Sequence, residues 1–175
     1  MAEDNGNGSV GTAGEEGMQQ RFQIAKMYLR DVSFEAPNAP TTFRDAWKPQ
    51  MDVELGTQHQ ALDASTYDVV LTVTVTARNH EQTAYLCEVK QGGVFRIEGF
   101  PEAEMERVLG AYCPAQLFPF AREAINDLVV KGGFPQLLLA PVNFESLYQQ
   151  QKQRREQGAD TSGAGNGTAS AGGAQ

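Results

Sequence analysis

The run Tyr67–Ala77 alternates so regularly that only an extended strand can use it. Tyr67, Val69, Leu71, Val73 and Val75 fall on one face, and Asp68, Val70, Thr72, Thr74 and Thr76 on the other. This is the period of two that a strand imposes on its side chains. A helix would scatter the same residues around its axis. Their β-branched content strengthens the assignment. A half-apolar strand of this length needs partner strands and a layer to cover its apolar face.

Three further segments supply partners. Arg21–Glu35 alternates as a strand, with the pattern faltering around Lys26 and Arg30. Its end, Asp31–Pro40, sets Val32 and Phe34 on one face and Asp31, Ser33 and Glu35 on the other. Pro37 and Pro40 then stop it, because proline donates nothing to a ladder. Trp47–Leu55 predicts a second strand, with Met51, Val53 and Leu55 opposite Asp52 and Glu54. The polar stretch Thr57–Ser65 predicts a loop. Arg78–Gln82 reads as a hairpin connection into a fourth strand, Thr83–Ile97. Gly92-Gly93 inside that strand predicts a bulge or a sharp bend.

After Ile97 the period changes. Pro101 suits a first helical turn, and Glu102, Glu104 and Glu106 favour its positive end. Leu117, Ala121, Ala124, Ile125, Leu128 and Val129 recur at helical spacing. Pro114 and Pro119 are expected to kink or interrupt this helix, and Gly132-Gly133 to stop it. Asn143 is a candidate N-cap for a last helix bearing Phe144, Leu147, Tyr148 and Gln151 on one side. The order predicts an α+β fold: a four-stranded antiparallel sheet followed by a long helix and a short C-terminal helix.

The 175 residues divide by composition. Residues 1–20 and 153–175, the latter rich in Gly, Ala and Ser, hold too little apolar surface to offset the entropy of ordering. They are expected to be a disordered N-terminal extension and a disordered tail around one folded domain, residues 21–152. The net charge of −8 argues against binding the phosphate backbones of nucleic acid and favours a basic partner. No run of about 18 apolar residues predicts a membrane span, and the N-terminus lacks the basic and apolar regions of a signal peptide. The expected location is the cytoplasm, where Cys87 and Cys113 would be reduced thiols.

Little in the chain points to chemistry. His59 and His80 fall in expected loops without ligand spacing to each other or to the cysteines, so no metal site is predicted. No serine stands in a nucleophile elbow. Gly92-Gly93 leads into Val94-Phe95 and not into a helix, so it is no phosphate cradle. Asp31 and Glu35 lie about 13 Å apart along a strand, too far to work as an acid–base pair. The expectation is a protein with no catalytic residue and no cofactor. Asp31 and Glu35 read instead as part of an acidic sheet surface, either an ordinary solvated face or one that docks a basic partner. Phe34, Phe43, Trp47, Phe118, Phe120, Phe134, Phe144 and Tyr148 are many for one thin sheet and two helices. They raise the possibility of apolar surface used in self-association or in holding other chains, beside that of a simple core.

Several motifs in one colinear order resemble the SecB family of bacterial protein-export chaperones. They are Asp31–Pro40, Leu86-Cys87-Glu88-Val89 with Gln91-Gly92-Gly93, and Gly110-Ala111-Tyr112-Cys113-Pro114. Leu117-Phe118-Pro119, Phe134-Pro135-Gln136-Leu137 and Leu139-Ala140-Pro141-Val142-Asn143-Phe144 complete the set, and the resemblance covers roughly residues 22–150. It implies a homotetramer built as a dimer of dimers. It also implies ATP-independent binding of unfolded precursor proteins, delivered to the motor ATPase SecA, with no direct membrane insertion. Asp31, Glu35, Leu86 and Glu88 match the positions that dock a basic segment of SecA. Met51, Val53 and Leu55 match the client-binding groove, with Leu147 and Tyr148 lining it from the last helix. Cys87 is read as packing near a protomer interface. The tail after Arg155 departs from the family in having few acidic residues. The alternative reading is a chaperone-like relative that holds a dedicated partner, such as an antitoxin, without an export role.

Overall fold

The computed structural model describes residues 19–162; the expectations for residues 1–18 and 163–175 lie outside the described residues. Four strands come first: β1 (Arg21–Glu35), β2 (Gln50–Ala61), β3 (Thr66–Asn79) and β4 (Gln82–Glu98). They form one antiparallel sheet in the order β1-β4-β3-β2, which leaves β1 and β2 as the two edges. The helical part follows as α1 (Glu102–Arg107), a π-helical turn (Val108–Tyr112), α2 (Cys113–Lys131) and, after an extended crossover, α3 (Phe144–Ser162). The α+β order expected from the sequence is the order found.

The sheet has one covered face. Val69, Leu71, Val73, Val75 and Ala77 of β3 and Cys87, Val89 and Phe95 of β4 are fully buried on it. Leu117, Ala121, Ile125 and Val129 of α2, one helical turn apart, are equally buried and pack against them. Asn143 caps α3, its Oδ1 accepting the Ser146 amide at 3.0 Å. Phe118 and Phe144 hold the start of α3 against α2, with ring centroids 5.6 Å apart. The helix continues to Ser162, past Lys152, where the sequence reading ended the folded domain.

Four local expectations are corrected. The stretch Thr57–Ala61 is not loop but the second half of β2, paired from Thr57↔Leu71 to Ala61↔Tyr67. An edge strand exposed on both faces can be polar throughout, so composition hid it. His59 therefore stands on a strand, whereas His80 sits in the β3–β4 turn with Glu81, both at positive φ (49° and 66°). The bulge expected at Gly92-Gly93 lies on the neighbouring strand: the β1–β4 register slips between Ile24 and Lys26 and between Leu29 and Asp31. The glycines make room instead. A Cβ on Gly92 would enter the Tyr28 ring, and one on Gly93 would stand 2.8 Å from Leu117 Cδ2. Finally, the break in the long helix is the π turn ahead of Pro114. Pro119 lies inside α2.

Candidate functional site

The uncovered face of the sheet brings the acidic residues together. Residues opposite one another on neighbouring strands share a face. The register therefore lines up Ser33, Glu88, Thr74 and Glu54 in one row, and Glu35, Leu86, Thr76 and Asp52 in the next. Asp31 pairs with Lys90 in a third row, continued by Thr72. Asp31, Glu35, Leu86 and Glu88 thus occupy one patch, as the strand parity required. Asp52 and Glu54 extend its carboxylates across the sheet, a consequence of strand order that parity within one strand could not reveal.

One cation sits inside this patch. Lys90 Nζ lies 3.2 Å from Glu88 Oε1 and 3.5 Å from Asp31 Oδ2. The hydrogen bond to Glu88 first, and Asp31 after it, hold the Lys90 ammonium above its ordinary pKa. Thr74 Oγ1 donates to the other Glu88 oxygen at 3.0 Å, so Glu88 is oriented from two sides. Lower on the same face Tyr28 crosses over Gly92 and donates to Asp68 Oδ1 at 2.6 Å. Gln60 donates to Asp68 Oδ2 at 3.2 Å, and Arg30 lies 3.6 Å from it. This buried carboxylate ties the edge strand β1 to β3 across the intervening strand.

The second feature is a groove between β2 and α3. Val53, Leu55 and Thr57 line it from the strand, with Gly110 of the π turn at its floor. Phe144, Leu147, Tyr148 and Arg154 line it from the helix, around a space of about 280 Å³. Tyr148 packs directly on Gly110, where a Cβ would stand 2.9 Å from the ring. Val53, Leu55, Leu147 and Tyr148 are brought together. Met51 shares their strand face but stands outside this lining, near the Ala77 end of the sheet.

Sequence reasoning missed a larger apolar cleft of about 740 Å³, lined by Phe22, Phe100, Val108, Tyr112, Val142 and Phe144 among others. Its walls come from the start of β1, the π turn and the crossover, and no single motif signals it. The surplus aromatics divide. Phe34, Phe43, Trp47 and Phe134 cluster with Tyr85, whereas Phe120 is exposed.

Neither thiol is placed for chemistry. Cys87 lies in the protomer's own core under α2, not at a surface, and Cys113 is buried at the start of α2. Burial pushes Cys87 up to about 11 and Cys113 up to about 12, from an ordinary 9.0. Because the fold favours the neutral thiols, their contribution to stability is complete below pH 9. It is lost as the pH rises through 11 to 12. Alkaline melting curves are expected to fall over that window, and a Cys87→Ser, Cys113→Ser variant to show a weaker fall. Among the described residues no group of His, Cys, Asp and Glu is placed to hold a metal ion, and no helix is long and apolar enough to cross a membrane.

Comparison with known proteins adds a family. The family model described as "Preprotein translocase subunit SecB" matches residues 15–155. The Protein-export protein SecB of Halorhodospira halophila is 85% identical over 162 residues, covering 93% of each chain. That of Alkalilimnicola ehrlichii is 51% identical over 170 residues, covering 94% of this chain and 90% of its own. Among solved structures, a Mycobacterium tuberculosis SecB-like chaperone in complex with a ChAD peptide from the HigA1 antitoxin superposes with a TM-score of 0.59. It shares 20% identity and covers 70% of this chain and 91% of its own, a likeness of fold.

Proposed function

Because the chain belongs to the SecB family of protein-export chaperones, we propose that it binds unfolded precursor proteins in the cytoplasm without ATP or catalysis and hands them to SecA. The observation that carries the handover is the acidic patch assembled on the open sheet face by three strands. A basic segment laid across the strands would meet carboxylates of β1, β4 and β2, with the threonines of β3 between them, on strands about 4.8 Å apart. Exposed charge pairs each contribute about 0–1 kcal/mol, so docking needs several at once and weakens as salt rises.

Client holding is assigned to the β2–α3 groove. Its strand wall is open to solvent at Val53, which is 42% exposed, while α3 supplies the opposite wall. Apolar burial contributes about 25 cal/mol per Å², much of it offset by ordering the client. A single groove therefore binds weakly, and several on one assembly raise avidity. The proposed homotetramer is supported by β1, an edge strand of 15 residues with Ile24, Leu29 and Val32 exposed along it.

Two measurements test this reading. Calorimetric titration with SecA is expected to give micromolar or tighter binding that weakens with salt; no binding at any salt would favour a dedicated partner over export. Val53→Asp is expected to weaken binding of a reduced, unfolded client about tenfold or more, by placing a carboxylate in the groove wall. Unchanged client affinity would remove the groove from the mechanism.

A further inference from the structure

Asp68 is the one charged residue that is buried among the described residues. Its carboxylate accepts from Tyr28 and Gln60, and Arg30 stands 3.6 Å away. A buried ion pair is weak evidence for stability, and its best-attested use is to fix register. Register is what changes at this point of the fold. β1 slips by one residue against β4 between Leu29↔Gln91 and Asp31↔Lys90, which leaves Arg30 as the extra residue of a bulge. A bulge re-aims the side chains around it. Here Arg30 reaches Asp68 and Asp31 reaches Lys90, so two successive residues meet the open face. Strict alternation from Tyr28 would instead put Val32 and Phe34 on that face, and Asp31, Ser33 and Glu35 on the covered one. The acidic residues of β1 owe their face to the bulge.

We infer that Asp68 is a positioning residue for the acidic patch: by pinning the extra residue of β1 at Arg30, it sets Asp31 in its row beside Lys90 and Glu88. The inference rests on the docking role proposed for that patch and adds to it a residue that touches no partner. The clamp grips the bulge from both faces. Tyr28 and Arg30, on either side of Leu29, are tied to Asp68 on the open face. From the covered face Gln91 Nε2 donates to the Tyr28 carbonyl at 2.9 Å. Gly92 leaves the space that the Tyr28 ring needs to cross over to Asp68. The far end of β1 has its own anchor in Phe34, stacked on Tyr85. Asp31 lies between that anchor and the bulge, and its own hold is weak: it stands 3.5 Å from Lys90 and is 59% exposed. Were the extra residue one place further on, Arg30 would stand opposite Lys90 and Asp31 would leave the row.

The test deletes Arg30 from the full-length chain. β1 then pairs from Leu29↔Gln91 straight on to Asp31↔Lys90, so every face is kept and no bulge is left to pin. On the unaltered chain Asp68→Ala is expected to weaken SecA binding about three- to fivefold, the worth of one exposed carboxylate in the patch. On the chain lacking Arg30 the same substitution is expected to change nothing. On an Arg30→Ala chain, which keeps the extra residue and loses only its cation, it is expected to act as before. An effect that survives the deletion would be direct electrostatics, and one that vanishes with Arg30→Ala would belong to the freed guanidinium. Either result overturns the inference, as does full SecA affinity in Asp68→Ala. Should Asp68→Ala fail to fold by circular dichroism, Tyr28→Phe, which removes one hydrogen bond of the clamp, is read through the same comparisons. Hydrogen exchange of residues 28–36, followed by mass spectrometry, reads them without SecA: faster exchange in Asp68→Ala, restored by the deletion. Unchanged exchange in Asp68→Ala overturns the inference. The expected exchange pattern, with no SecA binding by the unaltered chain, overturns the docking reading alone.

Discussion

Reversing two charges, Asp31→Lys together with Glu88→Lys, is expected to weaken SecA binding at least about tenfold while client binding stays as it was. Each substitution removes an attraction and adds a repulsion for a basic partner, and electrostatic effects of this kind act on several contacts at once. Glu88→Lys also places a second ammonium against Lys90, which now stands 3.2 Å from a Glu88 oxygen. The fold should tolerate this, because Asp31 is 59% exposed and Glu88 32%. Surface changes of this type usually move stability by about half a kcal/mol or less. Circular dichroism melting is the control, and calorimetry the readout. SecA affinity unchanged in a folded variant would remove the patch as the docking site. Lys90→Gln supplies the opposite sign: freed of its internal cation, the patch is expected to bind SecA more tightly, by a few-fold.

The largest loss of stability is expected from Gly93→Val, at about 3 kcal/mol. A Cβ there would lie 2.8 Å from Leu117 Cδ2 and 2.8 Å from the Phe95 ring, and both neighbours are fully buried. They cannot swing into solvent, so the strand and α2 must separate. In a domain of this size the melting midpoint should fall by roughly 10 °C. Gly92→Ala makes the informative contrast. Its Cβ would meet the Tyr28 ring on the open face of the sheet, and that ring can move outward. The cost there is the hydrogen bond to Asp68, about 1 kcal/mol. Urea titration of both variants separates the two cases; equal losses would mean that α2 is not held by Leu117 as described.

These two glycines also mark how far residue patterns could be read. An irregularity near Gly92-Gly93 was legible, but its strand was not. The extra residues belong to β1, at Ala25 and Arg30, where the alternation of Arg21–Glu35 falters. A glycine inside a strand signals close approach as readily as a bulge, and only the partner decides which. The buried faces of β3 and α2 were legible because one layer covers each of them, giving clean periods of two and of three to four. β2 was half legible for the converse reason: little covers it, so nothing constrains Thr57–Ala61 to look like a strand. The members of the acidic patch on β1 and β4 followed from parity and from the family resemblance, whereas Asp52 and Glu54 needed the strand order. The large cleft and the π turn depend on how separated segments meet, which periodicity does not encode.

The position of Lys90 bears on how long a docked partner stays. A cation tethered to the sheet beside Asp31 and Glu88 acts at an effective concentration of about millimolar or above. Whenever a docked segment loosens one contact, this side chain can recapture the vacated carboxylate before the segment returns. The partner's residence time would then be cut more than its arrival rate, since affinity differences among related complexes lie mostly in dissociation. Turnover of the complex would be set in part by the chaperone's own side chain, with no nucleotide spent on letting go.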